Sequence, residues 1–277
     1  MPNTPRWGDP PVVMGILNAT PDSFSGDGLA MDALALAGRG REFASAGAAI
    51  IDVGGESTRP GAGAVSLEDE LARVLPVIRA LAGTSDALIS IDTMKAAVAE
   101  AAVGLGATIV NDVSGLRDEG LAAVAARHRV SLVLTHNGHT TRERGIAESG
   151  DPLEDVVVEI RRLAGIAQRA GVEPTMLIAD PGLGFGKSAS ASLALIARTS
   201  ELRERLRPMP LLVGPSRKSF IGRSLDLPVD ERLEGTLACV AIAAFQGAEI
   251  IRVHDVQPSA RVVQMIAALR EAAPAKA

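Results

Sequence analysis

The chain has 277 residues, of which 47% are hydrophobic and 22% are charged, and its formal net charge is -5. This composition excludes a disordered or collagen-like chain, and the length suits one large α/β domain or two small ones. The acidic balance argues against a nucleic-acid partner, and aromatic residues at 2% leave little that stacks on bases. No apolar run approaches the ~18 residues that a membrane span requires, so we expect no membrane partner.

The single cysteine, Cys239, excludes an intrachain disulfide and allows a reducing compartment. It lies in an alanine-rich helical stretch, where we expect a packed core thiol. The stretch from Met1 to Asp9 contains no apolar run and therefore predicts no signal peptide. We expect a cytoplasmic protein.

Eight short apolar runs rich in valine and isoleucine recur along the chain, as is typical of strands buried on both faces of a parallel sheet. The predicted strands are Val12–Leu17, Ala49–Val53, Leu88–Ile91, Thr108–Val110, Ser131–Leu134, Met176–Ala179, Leu211–Val213 and Glu249–Val253. Stretches with helical spacing lie between them, at Ala33–Ala46, Leu67–Leu81, Lys95–Val103, Glu119–Arg127, Leu153–Ala170, Leu193–Leu206, Glu231–Gln246 and Ala260–Ala273. Ser66, with Asp69 three residues later, gives the second of these stretches a helix-start pattern.

This repeated alternation of strand and helix predicts an α/β fold, a (β/α)8 TIM barrel in a single domain. A doubly wound sheet uses the same alternation and is the alternative architecture. Eight units without an obvious second domain favour the barrel. We place the catalytic barrel at residues 12–273, after an N-terminal extension at 1–11 and before a frayed tail at 274–277.

Every predicted strand runs directly into a cluster of polar residues or glycines. In a barrel the carboxyl ends of the strands meet on one face, where active sites are built. Any one of these side chains alone is best explained as a helix cap or a turn former. Carboxylates, amides and cations at so many strand ends are better explained by a polar ligand that compensates their desolvation.

The residue types divide this face into two parts. Asp92, Asn111 and Asp180 follow strands 3, 4 and 6, and inward-pointing carboxylates and an amide suit a flat heterocycle with N–H groups, such as an aminopyrimidine edge. The cations lie elsewhere, and the end of strands 7 and 8 is the usual phosphate corner of this fold. They are Arg59, Arg217, Lys218, Arg252 and His254. For Arg217 and Lys218, taken alone, a solvated surface pair is the better explanation.

The glycine-rich segment Gly182–Ser188 resembles a phosphate-binding loop but lacks its spacing, since Pro181 stands where that motif needs a glycine. Lys187 likewise occupies the place of the last glycine of a dinucleotide-binding motif. We expect these glycines to let backbone approach a ligand closely, with Phe185 as an apolar wall. The two histidines after strand 5 stand among loop residues without a cysteine nearby, which does not predict a metal site.

Taken in order, these segments resemble the motifs of the dihydropteroate synthases, pterin-binding enzymes of folate biosynthesis. The matching segments are Met14–Ser25, Asp52–Gly61, Ser90–Thr93, Asn111–Ser114, Asp180–Lys187, Ser216–Ser219 and Arg252–Val256. The resemblance implies a TIM barrel, a transferase of alkyl groups and a sulfonamide target, expected as a homodimer with Mg²⁺ as its cofactor. The implied reaction condenses 7,8-dihydropterin-6-ylmethyl diphosphate with 4-aminobenzoate to give 7,8-dihydropteroate and diphosphate.

The resemblance also implies roles for individual residues. The pterin site would comprise Asp92, Asn111, Asp180 and Lys218. Asn18 would bind Mg²⁺, and the diphosphate site would comprise Asn18, Arg59, Arg252 and His254. The aminobenzoate pocket would comprise Phe24, Thr58, Pro60, Phe185 and Ser216, with the substrate carboxylate at free backbone N–H groups of residues 216–219. Catalysis would rest on Asp92, Lys218, Asn18 and Arg59.

Two segments depart from the family pattern. In loop 1, the segment after strand 1, the family usually has an aspartate followed by two glycines after Ser25. Here Gly26 precedes Asp27, so the carboxylate is displaced by one residue. The usual Met-His-Met after strand 5 reads Thr135-His136-Asn137, so we expect an amide in place of a methionine that packs on the pterin. Neither change removes a charge that the chemistry needs.

Two alternatives share the pterin site. A pterin-dependent methyltransferase barrel has no need for the diphosphate cations, and a non-catalytic pterin-binding paralogue would have lost Asn18, Arg59 or the segment 216–218. The presence of all these residues favours the synthase. Loops 1 and 2 hold Phe24, Thr58 and Pro60, and we expect them to complete the aminobenzoate pocket only when diphosphate and Mg²⁺ are bound.

Overall fold

The computed structural model describes residues 10–20, 29–57 and 63–272 of the chain. Within these ranges eight strands alternate with helices, as the sequence predicts. The strands are β1 (Val12–Asn18), β2 (Ala48–Gly54), β3 (Leu88–Asp92), β4 (Ile109–Asp112), β5 (Ser131–Thr135), β6 (Leu177–Asp180), β7 (Leu212–Val213) and β8 (Ile250–Val253). Most of the predicted N-terminal extension and all of the predicted tail lie outside the described residues.

The strands form one parallel sheet in the order β6-β5-β4-β3-β2-β1-β8-β7. The two ends of this order meet through a parallel bridge between Ala179 and Leu211, and the Ala179 amide donates to the Pro210 carbonyl at 2.9 Å. The sheet therefore returns on itself as a nearly closed barrel. This confirms the (β/α)8 prediction over the doubly wound sheet, whose edge strands stay apart.

Side chains that point into the barrel form a compact apolar cluster of their own. It consists of Met14, Ile50, Ile109, Val133, Ile178, Leu212 and Ile250. Because residues two apart on a strand share a face, the next inward positions toward the carboxyl ends can be read from this cluster, and on five of its seven strands they are polar. They are Asp52, Asn111, Thr135, Asp180 and Arg252. A larger apolar cluster fills the layer between the barrel and the helices.

The helices within the described ranges largely follow the predicted stretches. They are α1 (Leu29–Ser45), α2 (Leu67–Leu81), α3 (Ala96–Gly104), α4 (Gly120–His128), α5 (Gly138–Glu143), α6 (Pro152–Arg169), α7 (Ala189–Ala197), α8 (Thr199–Leu206), α9 (Ser219–Leu225), α10 (Leu233–Phe245) and α11 (Val256–Ala272). The side chain of Ser66 caps α2 by accepting from the Asp69 amide at 3.1 Å, which confirms the helix-start pattern.

One predicted helix, over Leu193–Leu206, is wrong as a single element, because the chain breaks between α7 and α8. Arg198 leaves helical geometry there, with φ -111° and ψ 26°, and its guanidinium binds Asp151 at 2.7 Å. The Thr199 hydroxyl donates back to the Ile196 carbonyl at 2.9 Å. The short helices α5 and α9 were not predicted. They have 6 and 7 residues, which are too few to show the helical repeat of apolar positions.

Gly182, two residues after the end of β6, occupies a backbone position that only glycine can adopt without strain. Its φ is +63°, and a Cβ there would lie 2.1 Å from the carbonyl oxygen of His136. We expected the glycines of this loop to approach a ligand, but Gly182 instead approaches the backbone of the loop after β5. The contact fixes the loop after β6 against the loop after β5, next to Asp180.

Gly182→Ala should therefore cost far more stability than Gly83→Ala. Gly83 has a similar φ of +71° but open space where a Cβ would lie. Gly83→Ala should therefore lose only the stability that the left-handed backbone costs a non-glycine residue, about 1 kcal/mol. Overlap with His136 should add about 2 kcal/mol in Gly182→Ala. Chemical denaturation of both variants measures this difference. Equal losses would show that the two loops separate freely.

Candidate active site

Arg252, on β8, lies between two carboxylates at the carboxyl end of the barrel. Its Nε donates to Oδ2 of Asp52 at 2.7 Å, and its Nη2 lies 2.6 Å from the same oxygen and 2.5 Å from Oδ2 of Asp92. The Asp52 side chain is fully buried, and that of Asp92 is 13% exposed. A single guanidinium therefore faces two carboxylates, so one negative charge is in excess at this point.

Burial dominates the acid–base behaviour of Asp92, and the neighbouring charges modify it. Burial raises the pKa of Asp92 to about 7; Arg252 opposes this shift, and the neighbouring carboxylate of Asp52 adds to it. The group is thus poised to exchange a proton near neutral pH, as is frequent at functional sites.

Several polar atoms around this ion cluster are buried without a partner. Asn111 donates from Nδ2 to Oδ2 of Asp52 at 3.0 Å, but its own Oδ1 and the Oδ1 of Asp52 accept nothing. The hydroxyls of Ser90 and Thr135 are also buried and unpaired. Buried polar groups without a partner are unfavourable in the free protein. The inward-facing end of the barrel therefore has the chemistry predicted for a heterocycle site.

Asp180 and Lys218 complete this pocket on the side of β6. The Gly182 amide donates to Oδ1 of Asp180 at 2.7 Å, and burial raises the pKa of this carboxyl group. The Lys218 ammonium lies 3.9 Å from the ring centre of Phe185, a cation–π contact. Burial, with Arg252 nearby, lowers the pKa of Lys218 to about 8. Of the Arg217–Lys218 pair, Lys218 belongs to the pocket, whereas Arg217 forms a two-point ion pair with Asp255.

The expected anion corner is only partly assembled from the described residues. The Ser216 hydroxyl and Nδ1 of His254 are 3.0 Å apart, and the His254 amide donates to the same hydroxyl at 3.1 Å. Arg252 is directed toward Asp52 and Asp92, so its assignment to diphosphate stays a prediction. Asn18 ends β1 with an exposed side chain. Four other predicted residues, Phe24, Thr58, Arg59 and Pro60, lie outside the described residues.

The backbone amides proposed for the aminobenzoate carboxylate are not all free. Arg217 donates its amide to Oγ1 of Thr236 at 3.1 Å, and Lys218 donates its amide to the Pro215 carbonyl at 3.2 Å. The expectation of free N–H groups across residues 216–219 is therefore wrong for these two. The turn is instead a fixed platform that holds Ser216 and Lys218 over the pocket.

Asn137 does not take the place that we expected for it. Its Oδ1 accepts from the amides of His139 and Thr140, which caps α5, and its Nδ2 donates to the Val113 carbonyl at 2.9 Å. The inward-facing position at this strand end is Thr135, which is paired in register with Asp180. Of the two changed positions, the threonine therefore faces into the barrel and the amide does not.

An ion cluster anchors the base of loop 2, the segment after β2. The Lys95 ammonium lies 2.5 Å from Oε2 of Glu56, in the loop base, and 2.5 Å from Oε2 of Glu70, on α2. Glu70 is fully buried and also accepts from the Thr93 hydroxyl at 2.6 Å. Arg73 donates to the Gly55 carbonyl at 2.9 Å. The segment that leads to Thr58 and Arg59 is thus tied to α2 and to the end of β3.

Lys187 performs a similar task for the loop after β6. Its ammonium donates to the carbonyls of His136 and Gly182 at 2.9 Å and to that of Phe185 at 3.4 Å. Burial lowers the pKa of Lys187 to about 7. This ammonium holds together the backbone on which Phe185 is mounted.

Sequence reasoning missed Asp52, Glu70, Lys95 and Lys187. Asp52 gave a usable signal, because a carboxylate interrupts the apolar run Ile50–Val53 at an inward-facing position. Glu70, Lys95 and Lys187 gave none, since charged residues in helices and loops are most often solvated. Their importance follows only from the contacts that folding creates.

Comparisons with known proteins agree with this site. Residues 14–254 match the family model described as pterin binding enzyme. A curated dihydropteroate synthase from Synechocystis is 45% identical over 267 residues, which cover 95% of this chain and 91% of that protein. Two solved structures are also similar: a Xanthomonas albilineans dihydropteroate synthase with 4-aminobenzoic acid (TM-score 0.88, 38% identity, 96% and 95% of the chains) and a Clostridium difficile dihydropteroate synthase in the presence of pteroic acid (TM-score 0.88, 38% identity, 95% and 98%).

With its nearly closed barrel, its polar carboxyl-end face and its match to this family model, the chain is a pterin-binding enzyme. The chain belongs to the dihydropteroate synthase family of these enzymes. Its activity is that of a dihydropteroate synthase, a transferase, and neither the methyltransferase nor the non-catalytic alternative is favoured.

Lys95→Met should destabilise the protein by about 3 kcal/mol, because it leaves the buried carboxylate of Glu70 without its cation. Arg127→Met is the matched control, since Arg127 pairs with Glu100 on the surface, where the two side chains are 62% and 38% exposed. Its loss should stay below about 1 kcal/mol. Adding Glu70→Gln to Lys95→Met should recover much of the stability. Equal losses in the two single variants, measured by urea denaturation, would contradict the anchoring role.

Proposed function

We propose that the pterin ring of 7,8-dihydropterin-6-ylmethyl diphosphate binds in the inner pocket at the carboxyl end of the barrel, with its diphosphate toward the rim. The observation that supports this most strongly is the convergence of Asp92, Asn111 and Asp180 at the carboxyl ends of β3, β4 and β6. Asp92, Asn111 and Asp180 accept from the N–H groups of the ring, and Lys218 donates to its acceptor atoms. In the reaction the C–O bond to diphosphate breaks, and a C–N bond to 4-aminobenzoate forms with loss of an amine proton.

The carboxylates of the pocket also act on the reacting carbon. As diphosphate leaves, positive charge develops on the methylene carbon and spreads into the pterin ring. Asp180 is buried and Asp92 is 13% exposed, and an ionised carboxylate in such surroundings stabilises a cation more strongly than it would in water. The excess charge of the Asp52–Arg252–Asp92 cluster serves the same purpose.

Diphosphate is held at the rim by Asn18, Arg59 and His254, with Arg252 behind them. The Ser216 hydroxyl contacts both Nδ1 and the backbone amide of His254. These two contacts fix the orientation in which the imidazole faces the anion. The fixed cations stabilise the negative charge that the leaving group gains.

The side chain of Asn18 could serve as the single protein ligand of a magnesium ion. Its exposed carboxamide ends β1, and the described part of the chain contains no group of three or more His, Cys, Asp or Glu side chains able to hold a metal. An Mg²⁺ ion here would depend on Asn18, water and the substrate diphosphate, which is a common way to bind this ion. Bound Mg²⁺ would offset charge on the departing diphosphate.

4-Aminobenzoate approaches from the open side, between Phe185 and Ser216. Lys218 lies against the Phe185 ring and so fixes this wall of the pocket. Phe24, Thr58 and Pro60 supply the other walls in this proposal. A neutral aromatic amine is already nucleophilic, so the chain needs no strong base beside it.

We also propose a homodimer and a cytoplasmic location. Neighbouring helices α10 and α11 expose large apolar side chains, namely Ile242 at 45%, Phe245 at 57%, Met265 at 57% and Leu269 at 47%. Such a face favours burial against a second copy. Sedimentation should give twice the mass of the chain, and Phe245→Glu should reduce it to the monomer.

Among the described helices, none is long and apolar enough to cross a membrane.

The direct test of the function is a diphosphate-release assay with the wild-type protein. Release should require the pterin diphosphate, 4-aminobenzoate and Mg²⁺ together, with dihydropteroate formed in equal amount. Release that does not depend on 4-aminobenzoate would contradict the condensation. Pterin binding without any release would instead indicate the non-catalytic alternative.

The affinity for 4-aminobenzoate should rise about tenfold or more when Mg²⁺ and diphosphate are added, because the anion joins Asn18 to Arg59 of loop 2. By reciprocity, 4-aminobenzoate should tighten diphosphate binding by the same factor. Calorimetric titration with and without Mg²⁺-diphosphate measures the effect, and Asn18→Ala should abolish it. Equal affinity under both conditions would refute this assembly of the pocket and leave the enzyme assignment intact.

A further inference from the structure

Arg217 has a backbone conformation that residues with side chains adopt at a cost. Its φ is +56°, in the left-handed region. Arg129 and Asp226 share this conformation, but they end helices α4 and α9, where it is common. Arg217 instead lies in the turn after β7, directly before Lys218. Strained backbone within a functional site persists only where the surrounding structure holds it.

Contacts from three other residues hold this conformation. The Arg217 amide donates to Oγ1 of Thr236 at 3.1 Å, and the Arg217 carbonyl accepts from Nη1 of Arg232 at 3.1 Å. The Arg217 guanidinium binds both oxygens of Asp255, with Nε 3.0 Å from Oδ2 and Nη2 2.6 Å from Oδ1. A two-point pair of this kind fixes direction as well as distance. It ties the turn after β7 to the segment that follows β8.

The residue that this turn presents to the pocket is Lys218. Its ammonium lies 3.9 Å from the ring centre of Phe185, and its backbone amide donates to the Pro215 carbonyl at 3.2 Å. If Arg217 returned to the φ of about -60° that ordinary backbone prefers, the chain on its two sides would rotate. The position of Lys218 in the pocket therefore depends on the strained conformation of its neighbour.

We propose that Arg217 and Asp255 are positioning residues, whose ion pair keeps the turn after β7 in its left-handed form and so holds the Lys218 ammonium in the pterin pocket. Their side chains are 40% and 21% exposed and act through the backbone, without touching substrate. This inference rests on the proposed placement of the pterin in the inner pocket.

Arg217→Ala and Arg217→Gly separate a positioning role from a direct contact. Both variants lose the ion pair, but glycine adopts a positive φ freely, whereas alanine does not. Calorimetry with 6-hydroxymethyl-7,8-dihydropterin should show affinity about tenfold lower in Arg217→Ala and less than about threefold lower in Arg217→Gly. Asp255→Asn should resemble Arg217→Ala. Combining the two should add little, because the same pair is already broken.

Arg203→Ala is the matched control for the loss of an ion pair. Nε of Arg203 donates to Oε1 of Glu249 at 2.7 Å, and the two side chains are 37% and 13% exposed. Glu249 directly precedes β8, whereas Asp255 follows it, so the two pairs lie at opposite ends of one strand. Arg203→Ala should leave the pterin affinity unchanged, whatever stability it loses in thermal unfolding.

The titration of Lys218 provides a readout that general destabilisation would not change. Burial, with Arg252 nearby, lowers the pKa of Lys218 to about 8, and the carboxylates of Asp180 and Asp92 oppose this shift. If the turn relaxes in Arg217→Ala, the ammonium gains water and its pKa should rise clearly toward its usual value. Carbon NMR of protein labelled at lysine Cε measures this without any ligand, and the chain has only four lysines to assign.

The outcomes separate this inference from the function. Equal weakening by Arg217→Ala and Arg217→Gly would show that the guanidinium acts on the substrate itself, and would overturn the positioning role. The same Lys218 pKa in the wild type and in Arg217→Ala would also overturn it, and neither result would remove the pterin site. A wild-type protein that binds no pterin would overturn the proposed placement of the substrate, whereas a raised Lys218 pKa in Arg217→Ala would still support the hold of the turn on Lys218.

Discussion

The site depends on one interaction, the guanidinium of Arg252 held between Asp52 and Asp92. These residues come from β8, β2 and β3, and the pairing of β1 with both β8 and β2 brings them together. The ion cluster therefore connects the fold directly to the chemistry. It fixes the acceptor that Asn111 binds, and in the proposed placement of the substrate it leaves an excess negative charge beside the carbon that becomes positive.

Around this cluster, the loops are held by cations that do not need to touch substrate. Lys95 ties the base of loop 2 to Glu70, and Lys187 ties the loop after β6 to its neighbour. Both ammonium groups neutralise or satisfy oxygen atoms that would otherwise be buried and unpaired. The loops that carry the predicted outer residues thus start from rigid bases, which limits the ordering that substrate binding must supply.

The sequence predicts the architecture well, because continuous apolar strands and their spacing depend on local pattern. It also predicts that Asp92, Asn111 and Asp180 lie together, since each lies at the end of a strand and strand ends meet on one face. Lys218 was assigned to this site only through the family resemblance. Asp52 was missed because it lies inside an apolar run rather than after it. The break at Arg198 and the capping role of Asn137 depend on contacts with distant segments, Asp151 and Val113, which no local period reveals.

The most direct test of this account is a carbon-NMR titration of the Asp92 carboxyl group in the wild-type protein and in Asp52→Asn. Burial, with the charge of Asp52 adding to it and Arg252 opposing it, should give Asp92 a pKa of about 7 in the wild type. Removing the charge of Asp52 assigns Arg252 to Asp92 alone and should lower that pKa clearly. An ordinary aspartate pKa in the wild type, or the same value in both proteins, would contradict the shared ion cluster.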